Sequence, residues 1–380
     1  MNASRLREIL EKAMNLDREF KVQTLLSSVN TALKNLISSP SDSGYQQTLA
    51  DTLASLGLAL STVVDSLQPA EIDRLREIGV DRFFSPEMRN EIDVWLAENP
   101  ATPTVAQTKL AQLITARDEF LTQAEQTVAN FTALKIEVQD IKPGEAEIGF
   151  LLPRNLFKNE FDKFIKELAV INRVIRAFSE AETGSAETID LRQLSSSDPT
   201  IFLGLSVATI VAIGKTISWA LDTWKKVEDI RKIRNETAKI TSLQGSGFEA
   251  MLDDSIKKLA AKSVEERVEE LLATATGDQG RKNEQRTDLT WAVESILARV
   301  ERGMTVEIRM LPPVAHEGQE PSEDVKAQYR DLHTISSTLS FPAPAGSPVL
   351  DLPPPSPKEV GKATTGRSSR SGPPAAESST

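Results

Sequence analysis

The sequence predicts an α+β protein. An N-terminal helical array over 1–130 precedes a domain over 131–311, in which long helices pack a small four-stranded sheet, and a disordered tail closes the chain over 341–380. Three observations carry this expectation. Apolar residues recur at helical spacing through the first third of the chain, and the period switches from 3.6 to 2 at Ala133. The last forty residues hold nine of the twenty prolines, seven serines and one aromatic, Phe341. Such a tail buries too little apolar surface to offset the entropy of ordering it. What is left, about 310 to 340 residues, suffices for one large or two ordinary domains with a sizeable core.

In the array, Leu6, Ile9, Leu10 and Met14 open a helical stripe, and Val22, Leu25, Leu26, Val29, Leu33, Leu36 and Ile37 carry it to the break SSPSDSG at 38–44. Leu49, Leu53, Leu56, Leu60, Val63, Val64 and Leu67 form a second stripe, stopped at Pro69, and PAEIDRLREIG reads as a short helix closed by Gly79. Pro86, Pro100 and Pro103 bound another short helix, which carries Trp95. A longer one follows from about Thr104 to Asn130 on Leu110, Leu113, Ile114, Phe120, Leu121, Ala124 and Val128.

In the second domain, Leu134, Ile136 and Val138 alternate with Lys135, Glu137 and Gln139, and Ile148, Phe150 and Leu152 repeat the pattern after the turn KPGE. This predicts a hairpin with strands near 133–141 and 146–152; Pro143 and Gly144 suit the centre of a type II turn, but tight hairpins prefer the mirror-image types, so a bulge or a longer loop is expected. A helix on Phe157, Phe161, Phe164, Leu168, Ile171, Ile175 and Phe178 leads to a strand near 188–194. Further on, helices on Leu252, Ile256, Leu259, Val264 and Val268 and on Leu289, Trp291, Val293, Ile296 and Leu297 precede a last strand near 304–311, where Val306, Ile308 and Met310 alternate with charges. Residues 312–340 read as a linker, with a weak amphipathic docking helix on Val325, Tyr329, Leu332, Ile335 and Leu339. In the tail, LPPPSP at 352–357 fits polyproline II and reads first as linker.

The run IFLGLSVATIVAIGKTISWAL, 201–221, is the most informative stretch. It holds ten Ile, Leu, Val or Phe residues and a single charge, Lys215. Asp198 as N-cap and Pro199 at the first helical position would start a helix here; carried to Leu243 it would be about 67 Å long, unless it breaks near Gly214. A helix buried among a sheet and other helices is apolar all round, which is the plain reading. The run also nearly reaches bilayer-spanning length, Lys215 sits off-centre where it could snorkel, and 225–239 carry six basic against three acidic residues. Gly204, Ala208, Ala212, Thr216 and Ala220 fall every fourth residue and would let another backbone approach closely, while Trp224 lies on a stripe with Ile217, Leu221, Val227 and Ile230. Gly204, Ala208, Ala212, Lys215 and Trp224 are therefore the candidate association or insertion face, with Trp224 as its anchor.

The rest of the sequence narrows the chemistry. A net charge of −11 argues against general nucleic-acid binding. With no cysteine there are no disulfides, thiolate zinc sites or cysteine nucleophile. Gly214, Lys215 and Thr216 imitate the end of a P-loop, but Thr209 stands where the first glycine belongs and the triplet lies in an apolar helical run, so no nucleotide site is expected. His316 and His333 lack HExxH spacing, and no GxSxG occurs. Carboxylate pairs Asp253 with Asp254, Glu265 with Glu266 and Glu269 with Glu270 read as solvated helix faces, although acidic residues distant in sequence can converge. The expectation is a cytoplasmic, non-enzymatic interaction or scaffold protein without cofactor or metal, which self-associates or binds a protein partner through helical faces. A membrane-acting effector that inserts 201–221 on triggering is the alternative, and a carboxylate-dependent hydrolase a weaker one.

Overall fold

In a computed structural model of the chain, residues 3–138, 141–195, 199–238, 248–275, 282–314, 321–343 and 347–354 are described. The apolar stripes of the first third become α1 (Ala3–Phe20), α2 (Val22–Ser38), α3 (Ser43–Asp65), α4 (Pro69–Glu77), α5 (Glu87–Glu98) and α6 (Pro103–Ala133). The break SSPSDSG works as a start signal as well as a stop. The Asp42 carboxylate there accepts from the backbone N–H groups of Gly44 and Tyr45, two donors that the first turn of α3 leaves unpaired. These helices share a core of Val22, Leu26, Leu56, Leu60, Phe84 and Leu110. One cation is buried in that core. The Arg117 guanidinium on α6 donates to Gln23 Oε1 at 2.9 Å and the Phe83 carbonyl at 3.2 Å, and pairs with Asp17 at 2.8 Å, so it ties α1 and α2 to the turn at 81–84.

The chain then builds a four-stranded antiparallel sheet in the order β2-β3-β1-β4, from β1 (Ala146–Leu151), β2 (Asp190–Ser195), β3 (Thr200–Gly204) and β4 (Thr305–Met310). Phe150 stands opposite both Ile201 and Val306, and Ile148 opposite Leu203 and Ile308, so these residues share one face of the sheet. That face forms a second core with Ile175, Phe178, Ile213, Ile217, Val293 and Ile296. These come from α8 (Phe161–Thr183), α9 (Val207–Ala238) and α11 (Lys282–Val300); α7 (Arg154–Phe157) and α10 (Phe248–Thr274) complete the layer. Alternation sends Glu147, Phe202, Glu307 and Arg309 to the opposite face, which meets α1 and α4.

The sheet has four strands, but one of them is not where the alternation predicts. Residues 134–138, expected as the first arm of a hairpin, form no strand. α6 runs on to Ala133 and ends in a left-handed Lys135, with the Ile136 N–H donating to the Phe131 carbonyl at 2.9 Å. This is a Schellman-type helix end, and it uses the residues whose alternation mimics a strand. The turn itself forms: Gly144 has φ +85°, and the Glu145 N–H donates to the Lys142 carbonyl at 2.9 Å. The Gly144 N–H, however, bonds the Leu311 carbonyl at 2.8 Å, so the turn closes against the end of β4.

The strand that replaces it is β3, drawn from the start of the apolar run. Pro199 therefore precedes a strand and does not open a helix, α9 begins at Val207, and Gly204 belongs to the sheet; Asp198 lies outside the described residues. A central strand buried on both faces is continuously apolar, which hydrophobic periodicity cannot distinguish from a buried helix. α9 passes Gly214 without interruption, and its thirty-two residues span about 48 Å. Beyond β4, α12 (Glu323–Thr338) forms the docking helix, with Tyr329, Leu332 and Ile335 buried. Phe341 and Leu350 pack against the second core, so part of the tail is folded onto the body. Residues 355–380, the remainder of the expected disordered tail, lie outside the described residues.

Candidate functional site

The five residues of the candidate face do not lie side by side. Gly204 ends β3, and a side chain there would collide with the Arg192 guanidinium, 2.6 Å from the position of a Cβ. Ala208 opens α9 and is half-buried, and Ala212 is buried. Lys215 points outward, and its ammonium pairs with Asp331 of α12 at 2.7 Å, both side chains half exposed. Trp224 is 2% exposed within the second core.

Within the chain, the small residues of α9 serve close helix packing. Thr216, fully buried, donates from its hydroxyl to the Ala212 carbonyl at 3.0 Å and accepts from the Arg267 guanidinium of α10 at 3.2 Å. Gly214 opens another side to α12 and β4. A Cβ on Gly214 would stand 3.0 Å from Ile335 Cγ2 and 3.0 Å from Ile308 Cδ1, so the missing side chain is the space those isoleucines occupy. α12 lies in that space through Leu332, at 0% exposure, and Ile335, at 7%. The occupied groove is thus apolar along its floor, with one exposed ion pair at its rim. This is the geometry of an amphipathic helix held in a helical groove. Gly214, which the sequence offers as a possible break in the helix, instead marks the place where another element comes close.

The carboxylate pairs read from the sequence as solvated helix faces lie on α10, and several of their members form ion pairs there. Asp254 pairs with Lys258 at 2.7 Å, Glu266 with Lys262 at 3.7 Å and Glu270 with Arg267 at 2.8 Å, while Glu269 pairs with Arg286. Gly214, Lys215 and Thr216 lie in mid-helix, and His333 is on α12; His316 lies outside the described residues. Burial holds the carboxyl of Glu182 above its ordinary value, opposed by Lys215 and Arg267 nearby.

Distant carboxylates do converge at one place, between the sheet and the N-terminal array, and arginines converge with them. Arg309 pairs with Glu147 at 2.5 Å and Glu8 at 2.8 Å, Arg5 pairs with Glu8 at 2.5 Å and also with Glu307, and Arg74 lies 3.7 Å from Glu307. Phe202 packs beneath the guanidinium groups of Arg5 and Arg309, 5.4 Å and 5.9 Å from its ring centre. Burial, with Arg309 close by, lowers Arg5 from the usual guanidinium value. A cleft of about 300 Å³ opens beside this cluster, lined by Lys12, Gln68 and Glu71 among others. The arrangement is a charge-matched joint, with guanidinium groups set among the carboxylates.

For the membrane reading, the structure divides 201–221 between β3 and α9, so inserting that run as a helix means pulling β3 from between β2 and β1. Among the described residues, α3 is the helix long and apolar enough to cross a membrane by length and composition, and it lies in the N-terminal core. The chain matches no protein-family model, no curated protein and no solved structure.

Proposed function

We propose that this is an interaction or scaffold protein that works through helical faces, self-associating or binding a protein partner in the groove of α9 and β4 that α12 fills in the isolated chain. One observation carries the reading. An amphipathic helix joined to the body by the segments either side of it places Leu332 and Ile335 in a groove whose depth depends on a glycine, Gly214. A groove that accepts its own helix accepts an equivalent helix from a second copy or a partner, because its floor contacts are apolar and the ion pair of Lys215 with Asp331 is at the rim.

The experiment undocks α12 in the full chain with the pair Leu332→Asp and Ile335→Asp, then adds a fluorescent peptide of residues 321–341. The expected result is saturable binding of the peptide to the variant and at least about tenfold weaker binding to the wild type, where the resident helix competes at an effective concentration in the millimolar range. Circular dichroism establishes that the variant is folded. A folded variant that ignores the peptide, and whose mass by light scattering equals that of the wild type at all concentrations, overturns the proposal.

A further inference from the structure

A second groove, between α10 and α11, holds an extended piece of the tail, residues 349–354, through hydrogen bonds to its backbone, the Leu350 side chain against the second core and one side-chain ion pair. The Glu301 carboxylate is 1% exposed as a residue, and its two oxygens accept from consecutive backbone N–H groups, Val349 at 2.7 Å and Leu350 at 3.0 Å. Arg302 donates to the Leu350 carbonyl at 2.6 Å. The Trp291 indole N–H donates to the Pro354 carbonyl at 2.9 Å, and Lys257 pairs with Asp351 at 3.0 Å. The indole is itself held: the Arg173 guanidinium stacks on it at 3.9 Å and pairs with Asp288 at 2.9 Å. A buried carboxylate for two amides, a guanidinium for a carbonyl, and an aromatic N–H for the carbonyl of a proline are together the means of gripping an extended chain that runs into prolines.

We propose that this groove is a recognition site for an extended segment of another protein, with two apolar residues, an acidic residue, a further apolar residue and then consecutive prolines, and that Val349–Pro354 is an internal stand-in which such a ligand displaces. Two features favour a displaceable occupant. Beside the resident segment a solvent-open cleft of about 270 Å³ borders the small side chains Ala260, Ala261 and Ala298, which is room for a bulkier apolar residue on a ligand. Leu352 is still 38% exposed and Asp351 is exposed, so Leu350 is the segment's main apolar anchor, and the backbone hydrogen bonds add a modest net gain each. The acidic position is fixed by Lys257, and the prolines by the Trp291 donor, since a carbonyl that precedes or belongs to a proline run has no competing N–H partner within the run.

The test uses the full chain and a fluorescent peptide of residues 347–354. Leu350→Asp dislodges the resident segment without touching the groove, and it is expected to tighten binding of the peptide about tenfold or more over the wild type, because it removes a competitor of millimolar effective concentration. Adding Trp291→Phe, which keeps the ring and removes the donor, is expected to weaken peptide binding about fivefold to tenfold, and adding Glu301→Gln to weaken it further. Near-ultraviolet circular dichroism confirms the fold of each variant. Three results overturn the proposal: no peptide binding by folded Leu350→Asp, binding that is indifferent to both groove substitutions, or a wild-type dimer that the peptide dissociates, which gives the groove to a second copy of the chain.

Discussion

At the scale of single residues, position in the fold decides what a charge does. Glu182 on α8 lies close to Lys215 and Arg267, yet burial outweighs both and lifts its carboxyl above the ordinary value of about 4.3. A carboxyl with a higher value in the folded than in the unfolded state binds its proton more tightly when folded. Its contribution is therefore complete below the unfolded value and is lost as the pH rises through the folded one. Glu182→Gln removes that loss while keeping a similar shape. Urea midpoints of the two proteins at pH values between about 3.5 and 7 are expected to show the difference moving in favour of the glutamine variant as the pH rises. A difference that is constant with pH contradicts the assignment. Trp224 makes the same general point about placement. The sequence marks it as the anchor of an association face, but a stripe cannot say whose surface covers it, and in this chain Trp224 is packed within the second core.

At the scale of elements, the helices of the first third, β1, β2 and β4, and α12 were all legible, because each is amphipathic and one face of it meets solvent or another layer. The two errors have a common cause. The residues of 134–138 alternate for reasons local to a helix end, and β3 puts apolar side chains on both faces, Phe202 on one and Ile201 and Leu203 on the other, so in both places periodicity carried no information about secondary structure. The grooves were less legible than the helices that form them. Gly214 is informative only once Ile308 and Ile335 are seen to close over it, and Glu301 only once the amides of Val349 and Leu350 are seen against it. Gly214 yields a prediction. In the middle of a helix, glycine costs about 1 kcal/mol relative to alanine, so a larger residue there would gain helix propensity if space allowed. Gly214→Val forfeits that gain, since its branches enter the space of Ile308 and Ile335, and overpacking of this kind costs about 1–3 kcal/mol. The cost falls on the docked element that can leave. Amide hydrogen exchange is expected to speed up across 323–338 while the amides of α10 and α11 keep their protection. Unchanged exchange in α12 would mean that the groove tolerates the side chain and that α12 is not seated on Gly214.

At the scale of the whole molecule, two apolar cores face each other across a layer of ions. Arg5, Glu8 and Arg74 from the N-terminal array meet Glu147, Glu307 and Arg309 from the sheet. The sequence shows that such convergence is possible without showing where, since Arg5 and Glu307, or Glu8 and Arg309, are some three hundred residues apart and no local pattern links them. What the layer contributes depends on how each charge is left when its partner goes. Arg309 and Glu147 have side chains only 9% and 5% exposed, so neither can be rehydrated in place. Arg309→Met keeps most of the volume and strands the Glu147 carboxylate, and removal of one member of a buried pair costs about 3–5 kcal/mol. Glu147→Leu added to it removes the stranded charge as well, and the double variant is expected to regain most of that loss, since Glu8, 29% exposed, keeps its pair with Arg5 at 2.5 Å. Urea unfolding of the four proteins of this cycle measures the coupling directly, and added salt should change it little because the pair is shielded from mobile ions. A single variant that costs less than about 1 kcal/mol, or a double variant no better than the single, would show that water already reaches the layer and that the two cores are joined by their apolar contacts alone.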